Sequence, residues 1–347
     1  FIPAVFIAIL ADFIGRKPFI LLSTFLLIAC SIATANAGSI TSFIVFQFLA
    51  FMFISAETSV AVVMIIEEAK NNMRGFAVSL LSGLSAVGTG FAAVVYGINA
   101  YMDLPFQYNY YYGILPLLII LVLRSRLKET QLFNHAVQDT VKQSLKDKIR
   151  ERFSLLKSRS GNLLMVCLVT LFYDACVAPA YILASKFLQE SHAFTPYQVS
   201  AIIVISGSVA TLGAIGIGYV SDVRGRRKIL LALMLATIAS VAIFYNTRDI
   251  GLYIAWFVFI FVSSSAASLI MTIGTELFPT ATRASAAGIR GMFSAAGGAL
   301  GLVLEGELIR KFKTHNISIA LLTVLIVVSA VLVYWKLPET AKKELEQ

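Results

Sequence analysis

The stretch G-Y-V-S-D-V-R-G-R-R-K at residues 218–228 has a shorter counterpart, A-D-F-I-G-R-K, at residues 11–17. In both copies an acidic residue is followed three positions later by a glycine and then by two basic residues. The matched positions, 210 residues apart, are Asp12, Gly15, Arg16 and Lys17 in the first copy and Asp222, Gly225, Arg226 and Arg227 in the second. Such self-similarity at a fixed distance indicates a chain built from two related halves.

A second signature repeats at nearly the same distance. Glu67 and Arg74, which are seven residues apart, recur as Glu276 and Arg283, an offset of 209 residues. Because both signatures fall at the ends of equivalent apolar runs, they predict that the halves are related in structure as well as in sequence.

The composition places these halves in a bilayer. The chain has 347 residues, of which 58% are hydrophobic and 14% charged, with a mean hydropathy of +0.83. A helix of about 20 apolar residues spans the hydrocarbon core. The predicted spans are 1–11, 18–37, 41–66, 75–99, 109–124, 161–186, 197–220, 228–246, 250–274, 284–309 and 316–336.

The span pattern predicts an all-α membrane protein made of two six-helix pseudo-repeats, with about 11 spans present and the first helix missing. The run 1–11 reaches Asp12 too early to cross the membrane, so we expect it to be the end of a longer helix. The predicted division is an incomplete N-terminal half at 1–124, a linker at 125–160, a six-helix half at 161–336 and a tail at 337–347.

The basic residues predict the orientation. Of the 28 Lys and Arg residues, 22 lie on the side of the linker and the tail, and Arg290 lies within a span. The five on the opposite side are Lys186, Arg248, Arg310, Lys311 and Lys313. Since cytoplasmic loops carry the excess of Lys and Arg, we expect the linker and tail to be cytoplasmic in a multi-pass cell-membrane protein, with a bacterial inner membrane as the expected location. A net charge of +9 distributed in this way reports topology and argues against a nucleic-acid partner.

The paired loops resemble the major facilitator signature, Gly-x-x-x-Asp-x-x-Gly-Arg-Arg/Lys. The second copy matches throughout, whereas Ala8 replaces the leading glycine of the first copy. The resemblance covers nearly the whole chain and implies the major facilitator fold of secondary transporters, which work without a bound cofactor and here are expected to act as monomers.

A narrower resemblance is to the metabolite:proton symporter family, whose members import proline, betaine or organic acids. It rests on three stretches: S-A-E-T-S-V-A-V-V-M-I-I-E-E-A-K-N-N-M-R-G at 55–75, L-K-E-T-Q-L-F at 127–133, and T-E-L-F-P-T-A-T-R at 275–283. The resemblance implies proton-coupled uptake of a small polar or zwitterionic metabolite, including osmoprotectants. A proline expected in the first stretch is replaced by Lys70.

Other interpretations stay open. The tail P-E-T-A-K-K-E-L-E-Q at 338–347 resembles that of the sugar porters, although the expected Pro-Glu-Ser-Pro-Arg stretch is not supplied at 128–131. A membrane sensor that keeps the fold without moving solute, or a degenerate fragment, would also fit the pattern of spans. No Gly-x-x-x-x-Gly-Lys-Ser/Thr loop occurs, so direct ATP drive is not expected.

Three charged residues lie deep inside predicted spans, where an ionised group requires a partner or a hydrated cavity. Glu57 is the predicted proton carrier or cation-binding residue. Asp174, with Tyr173 and Tyr181 nearby, predicts a site for a cationic or zwitterionic solute through cation–π attraction. Arg290 is expected either to bind a substrate carboxylate or to extend its side chain to the cytoplasmic surface. Asp174 and Arg290 are also the expected partners of Glu57 across the cavity.

The repeated charged residues are expected to act in gating rather than in binding. An acid at a helix end can cap a neighbouring helix N-terminus or pair with an arginine in one conformation only. These residues are Asp12, Gly15, Arg16, Lys17, Glu67, Arg74, Asp222, Gly225, Arg226, Arg227, Glu276 and Arg283. The three cysteines lack metal-ligand spacing, and no metal is expected.

Overall fold

The computed structural model describes residues 15–70, 73–126, 154–279 and 282–341. Within these ranges the chain is built from α-helices joined by short connections. The helices are α1 Arg16–Ala35, α2 Ile40–Glu68, α3 Arg74–Tyr101, α4 Gln107–Ser125, α5 Ser160–Ile182, α6 Ala184–His192, α7 Pro196–Arg224, α8 Arg226–Asn246, α9 Asp249–Glu276, α10 Arg283–Phe312 and α11 His315–Lys336.

Nine helices of the described part of the chain are long and apolar enough to cross a membrane. Every predicted span from 18–37 onward coincides with a helix to within a few residues, whereas the predicted span 1–11 lies outside the described residues. The span predicted at 161–186 was too long, because α5 ends at Ile182 and the short helix α6 follows. The prediction of an all-α membrane protein is confirmed for the described residues.

The two signature loops have the same backbone shape. Gly15 has φ 99° and Gly225 has φ 100°, a region that glycine enters without the steric cost that a Cβ would add. Each glycine directly precedes a buried arginine that starts a helix: Arg16 is 3% exposed and Arg226 is 1% exposed. The repeat therefore places equivalent cations at equivalent positions of the two halves.

The first half comprises α1–α4 and the second half α5–α11. The two halves meet mainly where α3 packs against α7, with further contacts of α2 against α10 and of α3 against α9. We call the end of the bundle that carries Arg16, Arg74, Arg226 and Arg283 the basic end. Near this end, buried Val63 of α2 packs with Ala287 of α10, so apolar side chains of the two halves are in contact there.

Two glycines bring α10 unusually close to α5. A Cβ added at Gly297 would collide with the carbonyl oxygen of Leu171, and one added at Gly301 would collide with that of Ala175. Small residues of this kind let helix backbones approach closely in membranes. The contact fixes the position of Asp174, which lies between these two residues of α5.

Candidate functional site

A cavity of about 560 Å³ lies between the two halves, a volume suited to a small-molecule ligand. Its wall is formed by parts of α2, α5, α9 and α10. The described residues that line it are Phe51, Ile54, Ser55, Thr58, Thr170, Tyr173, Asp174, Ala178, Ile182, Ala267, Ile270, Met271, Arg290, Gly291, Ser294, Ala295, Gly298, Ala299 and Leu302. The packed pair of Val63 and Ala287 lies on the basic-end side of this wall.

Asp174 and Arg290 both lie on the cavity wall, as the sequence analysis expected for a site between the halves. The Ser294 hydroxyl, one turn along α10 from Arg290, donates a hydrogen bond of 2.5 Å to Asp174 Oδ2. The charges of Asp174 and Arg290 interact electrostatically, yet no hydrogen bond or ion pair joins these two residues. The site therefore holds an acid and a base that are near each other but not locked together.

The guanidinium of Arg290 has spare donor capacity. Its Nε atom is buried and has no hydrogen-bond partner within the described residues. A buried donor without a partner carries a desolvation cost, which a ligand oxygen would remove.

The two tyrosines expected near Asp174 line different cavities. Tyr173 lines the cavity, but its hydroxyl donates to the Ser263 carbonyl at 3.1 Å and its side chain is packed into the core. Tyr181 stacks on Trp256, with ring centroids 6.0 Å apart, and lines a separate smaller cavity. Of the two tyrosines, Tyr173 shares the cavity wall with Asp174 and Tyr181 does not, and their cation–π role stays a prediction.

Glu57 lies elsewhere than predicted. Its neighbours Ile54, Ser55 and Thr58 line the cavity, whereas Glu57 does not. Its carboxylate forms an ion pair with Arg124 at the end of α4. The expected partners of Glu57, the two charged residues of the second half, were therefore wrong.

Two hydroxyls of α1 complete the surroundings of Glu57. Ser23 donates to Glu57 Oε2 at 3.0 Å, and Thr24 donates to the same oxygen at 3.3 Å. The Arg124 guanidinium also donates to Thr24 Oγ1 at 2.6 Å. The charge of Glu57 is thus balanced entirely within the first half, by groups from α1 and α4.

At the basic end, Asp222 links the two halves. Its Oδ2 accepts a hydrogen bond of 3.2 Å from the backbone N–H of Phe76, in the first turn of α3, and its Oδ1 accepts one of 2.7 Å from Arg226. A carboxylate at a helix N-terminus interacts favourably with the helix dipole. The geometry matches the predicted capping role, since the donor belongs to the other half.

Glu276 pairs with Arg226 rather than with Arg283, which corrects the arrangement expected from the seven-residue spacing. The guanidinium of Arg283 instead donates to the Phe278 carbonyl at 3.0 Å. Arg283 is fully buried. Burial, together with the nearby cations of Arg74 and Arg16, lowers the pKa of Arg283 to about 10. Four arginines from both halves therefore converge at the basic end.

The remaining gating residues are placed as follows. Lys17 follows Arg16 in the first turn of α1, and Arg74 is buried at the start of α3. Arg227 lies with its guanidinium over the ring of Tyr334, 5.6 Å from the centroid. Asp12 lies outside the described residues, as does the side chain of Glu67.

Glu339, in the tail, caps the start of α8. Its carboxylate accepts hydrogen bonds from the backbone N–H groups of Arg226 at 2.9 Å and Arg227 at 3.1 Å, and further bonds from Thr340 and Ala341. Burial alone would raise the pKa of Glu339, but these four N–H groups hold it below its usual value. The tail is therefore fastened to the second signature loop.

Sequence reasoning missed Ser294, Arg124 and the capping role of Glu339. Arg124 was counted with the linker because it lies one residue from the end of α4, and only its side chain extends to Glu57. A serine on a membrane helix carries no signal of its own. Within the described residues, no group of three or more His, Cys, Asp or Glu side chains is placed to hold a metal ion.

Comparison with known proteins agrees with this architecture. The family model for "Sugar (and other) transporter" matches residues 1–347. A curated relative, the "Putative niacin/nicotinamide transporter NiaP" of Bacillus subtilis (strain 168), is 24% identical over 348 residues, covering 97% of this chain and 83% of the relative.

Solved structures share the fold. The proton:xylose symporter XylE bound to 6-bromo-6-deoxy-D-glucose superposes with a TM-score of 0.74 at 15% identity, over 99% of this chain and 85% of XylE. The E. coli fucose:proton symporter FucP gives 0.72 at 14% identity, over 96% of this chain and 87% of FucP. The human organic anion transporter MFSD10 superposes with a TM-score of 0.73 at 14% identity, over 95% of this chain and 80% of MFSD10. The chain therefore belongs to the sugar (and other) transporter family, a family of transporters and not of enzymes, and it has the fold of the solved major facilitator transporters.

Proposed function

We propose that this transporter imports a small polar metabolite together with protons, by alternating access of one central site to the two sides of the membrane. The observation that carries the proposal is the cavity between the halves, which holds Asp174 and Arg290 and is closed toward the basic end by packed side chains. The excess of Lys and Arg at the basic end supports a cytoplasmic location for that end. The cavity then faces the outside, as an importer awaiting its solute requires.

The contacts at the basic end serve as the inner gate in this proposal. Asp222 caps α3 of the other half and binds Arg226 within its own half. When the halves rock apart at this end, the Phe76 N–H is released while the ion pair with Arg226 stays. The gate thus shifts the balance between conformations without touching the solute.

Asp174 is the first candidate for the proton-binding residue, because its carboxylate faces the cavity and has Arg290 as its nearest countercharge. Glu57 is the second candidate. Its carboxylate also lies within a candidate membrane span but is paired with Arg124, so protonation of Glu57 would release a cation within the first half.

The substrate class is open between three groups of compounds. The resemblance to metabolite:proton symporters suggests proline, betaine or an organic acid. The matching family model and the symporters XylE and FucP suggest a sugar. The relative from Bacillus subtilis suggests a pyridine carboxylate or its amide.

The test is uptake of radiolabelled proline, betaine, α-ketoglutarate, xylose and nicotinate into proteoliposomes that contain the full chain. We expect one solute class to accumulate under an inward proton gradient and to leak out when a protonophore is added. Binding of a solute without any transmembrane flux would favour a sensor, and accumulation that ignores the protonophore would overturn proton coupling.

A further inference from the structure

We propose that the solute is a small monocarboxylate with an apolar body, bound by Arg290 and carried across together with one proton on Asp174. The inference rests on the transport function proposed above and specifies its substrate and its coupling. Its basis is that a single cavity guanidinium faces two possible anions, Asp174 and a ligand.

The guanidinium of Arg290 has hydrogen-bonding capacity that the protein does not use. Its side chain lies on the cavity wall, and its Nε atom is buried without a hydrogen-bond partner within the described residues. Asp174 is close enough to interact with it electrostatically but accepts its hydrogen bond from Ser294. A guanidinium presents its N–H groups as a planar fork that matches a carboxylate. Arg290 is therefore a ready site for an anionic head group.

The rest of the cavity offers few hydrogen-bond donors to a ligand with many hydroxyl groups. Three of its hydroxyl donors are already used: Thr58 donates to the Ile54 carbonyl, Thr170 to the Val166 carbonyl, and Ser294 to Asp174. None of the described lining residues is Asn or Gln, and most are apolar. A sugar would leave several polar groups unpaired, which is costly. One charged head on an apolar body fits better.

Charge neutrality then links the anion to the proton. The empty site is neutral, because the charge of Asp174 balances that of Arg290. Adding the anion alone leaves one net negative charge, and adding a proton alone leaves one net positive charge, each of which is expensive to enclose away from water. When the anion binds Arg290 and a proton from the outer solution binds the Asp174 carboxylate, the site is neutral again. Only these two neutral forms of the site convert easily between the outward-facing and inward-facing conformations. One proton is therefore carried with each anion.

The groups around Asp174 allow this exchange. Arg290 from α10 is the charged residue that faces it, while Tyr173 and Cys176 of α5 are the titratable neighbours within its own helix. The lining residues from α2 and α9 carry no charge. The protonation state of Asp174 therefore responds to whether the guanidinium is free or occupied by a ligand.

The test uses a matched pair of probes, benzoate and benzamide, which differ only in the anionic head. Calorimetry of the full chain in buffers of different ionisation enthalpy should show that benzoate binds with uptake of about one proton, whereas benzamide binds weakly and without proton uptake. Arg290→Ala should weaken benzoate binding about 100-fold or more, while Asp174→Asn should bind benzoate without proton uptake. The control Arg310→Ala removes an exposed arginine from the same helix, outside the cavity, and should leave benzoate binding unchanged.

Flux measurements separate this inference from the proposed function. Benzoate accumulation above the level in protein-free liposomes, which benzoic acid enters unaided, should follow the pH gradient and should not respond to a membrane potential set with potassium and valinomycin, because the loaded site is neutral. If xylose accumulates with protons while benzoate neither binds nor competes, the substrate inference is overturned and the transport function stands. If benzoate binds with a proton but never crosses, the transport function is overturned and the site stands.

Discussion

The two halves of this transporter are alike at the basic end and different at mid-depth. Gly15 and Gly225 share one backbone shape, and each is followed by a buried arginine. At mid-depth, the first half encloses its carboxylate, Glu57, among its own helices, whereas the second half presents Asp174 to the cavity.

This difference shows that gating and solute binding place different requirements on the two halves. A gate must close by the same movement of both halves, so the repeat retains its residues in both copies. A binding site meets an asymmetric solute, so one half can supply the binding groups while the other supplies an apolar wall. The ion pair of Glu57 with Arg124 then contributes to the stability of the first half.

The largest expected effect is on the gate. Arg226→Met leaves the buried carboxylates of Asp222 and Glu276 without their shared cation, and breaking a buried pair in this way costs about 3–5 kcal/mol. Thermal unfolding in detergent should show a large loss of stability. The control is the neighbouring Arg227→Met, because the guanidinium of Arg227 is only partly buried. This variant should lose much less stability. Equal losses would mean that the Arg226 network does not hold the basic end together.

The next effect concerns the close contact that positions Asp174. Gly301→Ala forces a Cβ into the backbone of Ala175, and overpacking of this kind costs about 1–3 kcal/mol. We also expect transport to fall, because α5 must move away from α10. Gly306→Ala on the same helix meets no atom within 4 Å and should be neutral or slightly stabilising. If both variants behave alike, the glycine contact does not position the site.

A double-mutant cycle tests whether the charge of the first half is structural. Glu57→Gln and Arg124→Gln should each destabilise the protein, and the double variant should lose less than the sum of the two. We expect a coupling energy of about 1–2 kcal/mol, within the range for residues in direct contact, measured by thermal unfolding. If the losses in stability are additive, the ion pair of Glu57 and Arg124 contributes nothing to the free energy of unfolding.

The smallest effect involves the tail. Because the pKa of Glu339 is lower in the folded state than its usual value, the stabilisation is present at neutral pH and is lost as the pH falls through that lowered pKa. Glu339→Gln should remove about 0.5–1 kcal/mol, as for a charge at a helix N-terminus. Hydrogen exchange at the amides of Arg226 and Arg227 should be faster in this variant. Unchanged exchange would show that the tail is not fastened there.

The fold was largely predictable because apolar length and loop charge are read directly from sequence. Each span predicted from 18–37 onward is a helix, and the repeat of the glycine–arginine pair has a direct counterpart in backbone geometry. The end of α5 was misplaced, since the turn at Leu183 that starts α6 lies in a sequence that continues without a polar break.

The site was predictable only in part. Depth in the membrane pointed to Glu57, Asp174 and Arg290, but depth does not say which side of a helix a residue faces. The pairing of Glu57 with Arg124 depends on the reach of a long side chain from a helix end. The hydrogen bond from Ser294 to Asp174 depends on the close approach of α5 and α10. Neither contact leaves a pattern in the sequence.

The most direct test of the account compares Asp174→Asn with Glu57→Gln in proteoliposomes, with the transported solute identified in the uptake screen. We expect the Asp174→Asn variant to exchange labelled for unlabelled solute but no longer to accumulate it under an inward proton gradient. Glu57→Gln, once corrected for its lower stability, should still accumulate solute. Accumulation that survives in Asp174→Asn and disappears in Glu57→Gln would contradict the account and place proton coupling in the first half.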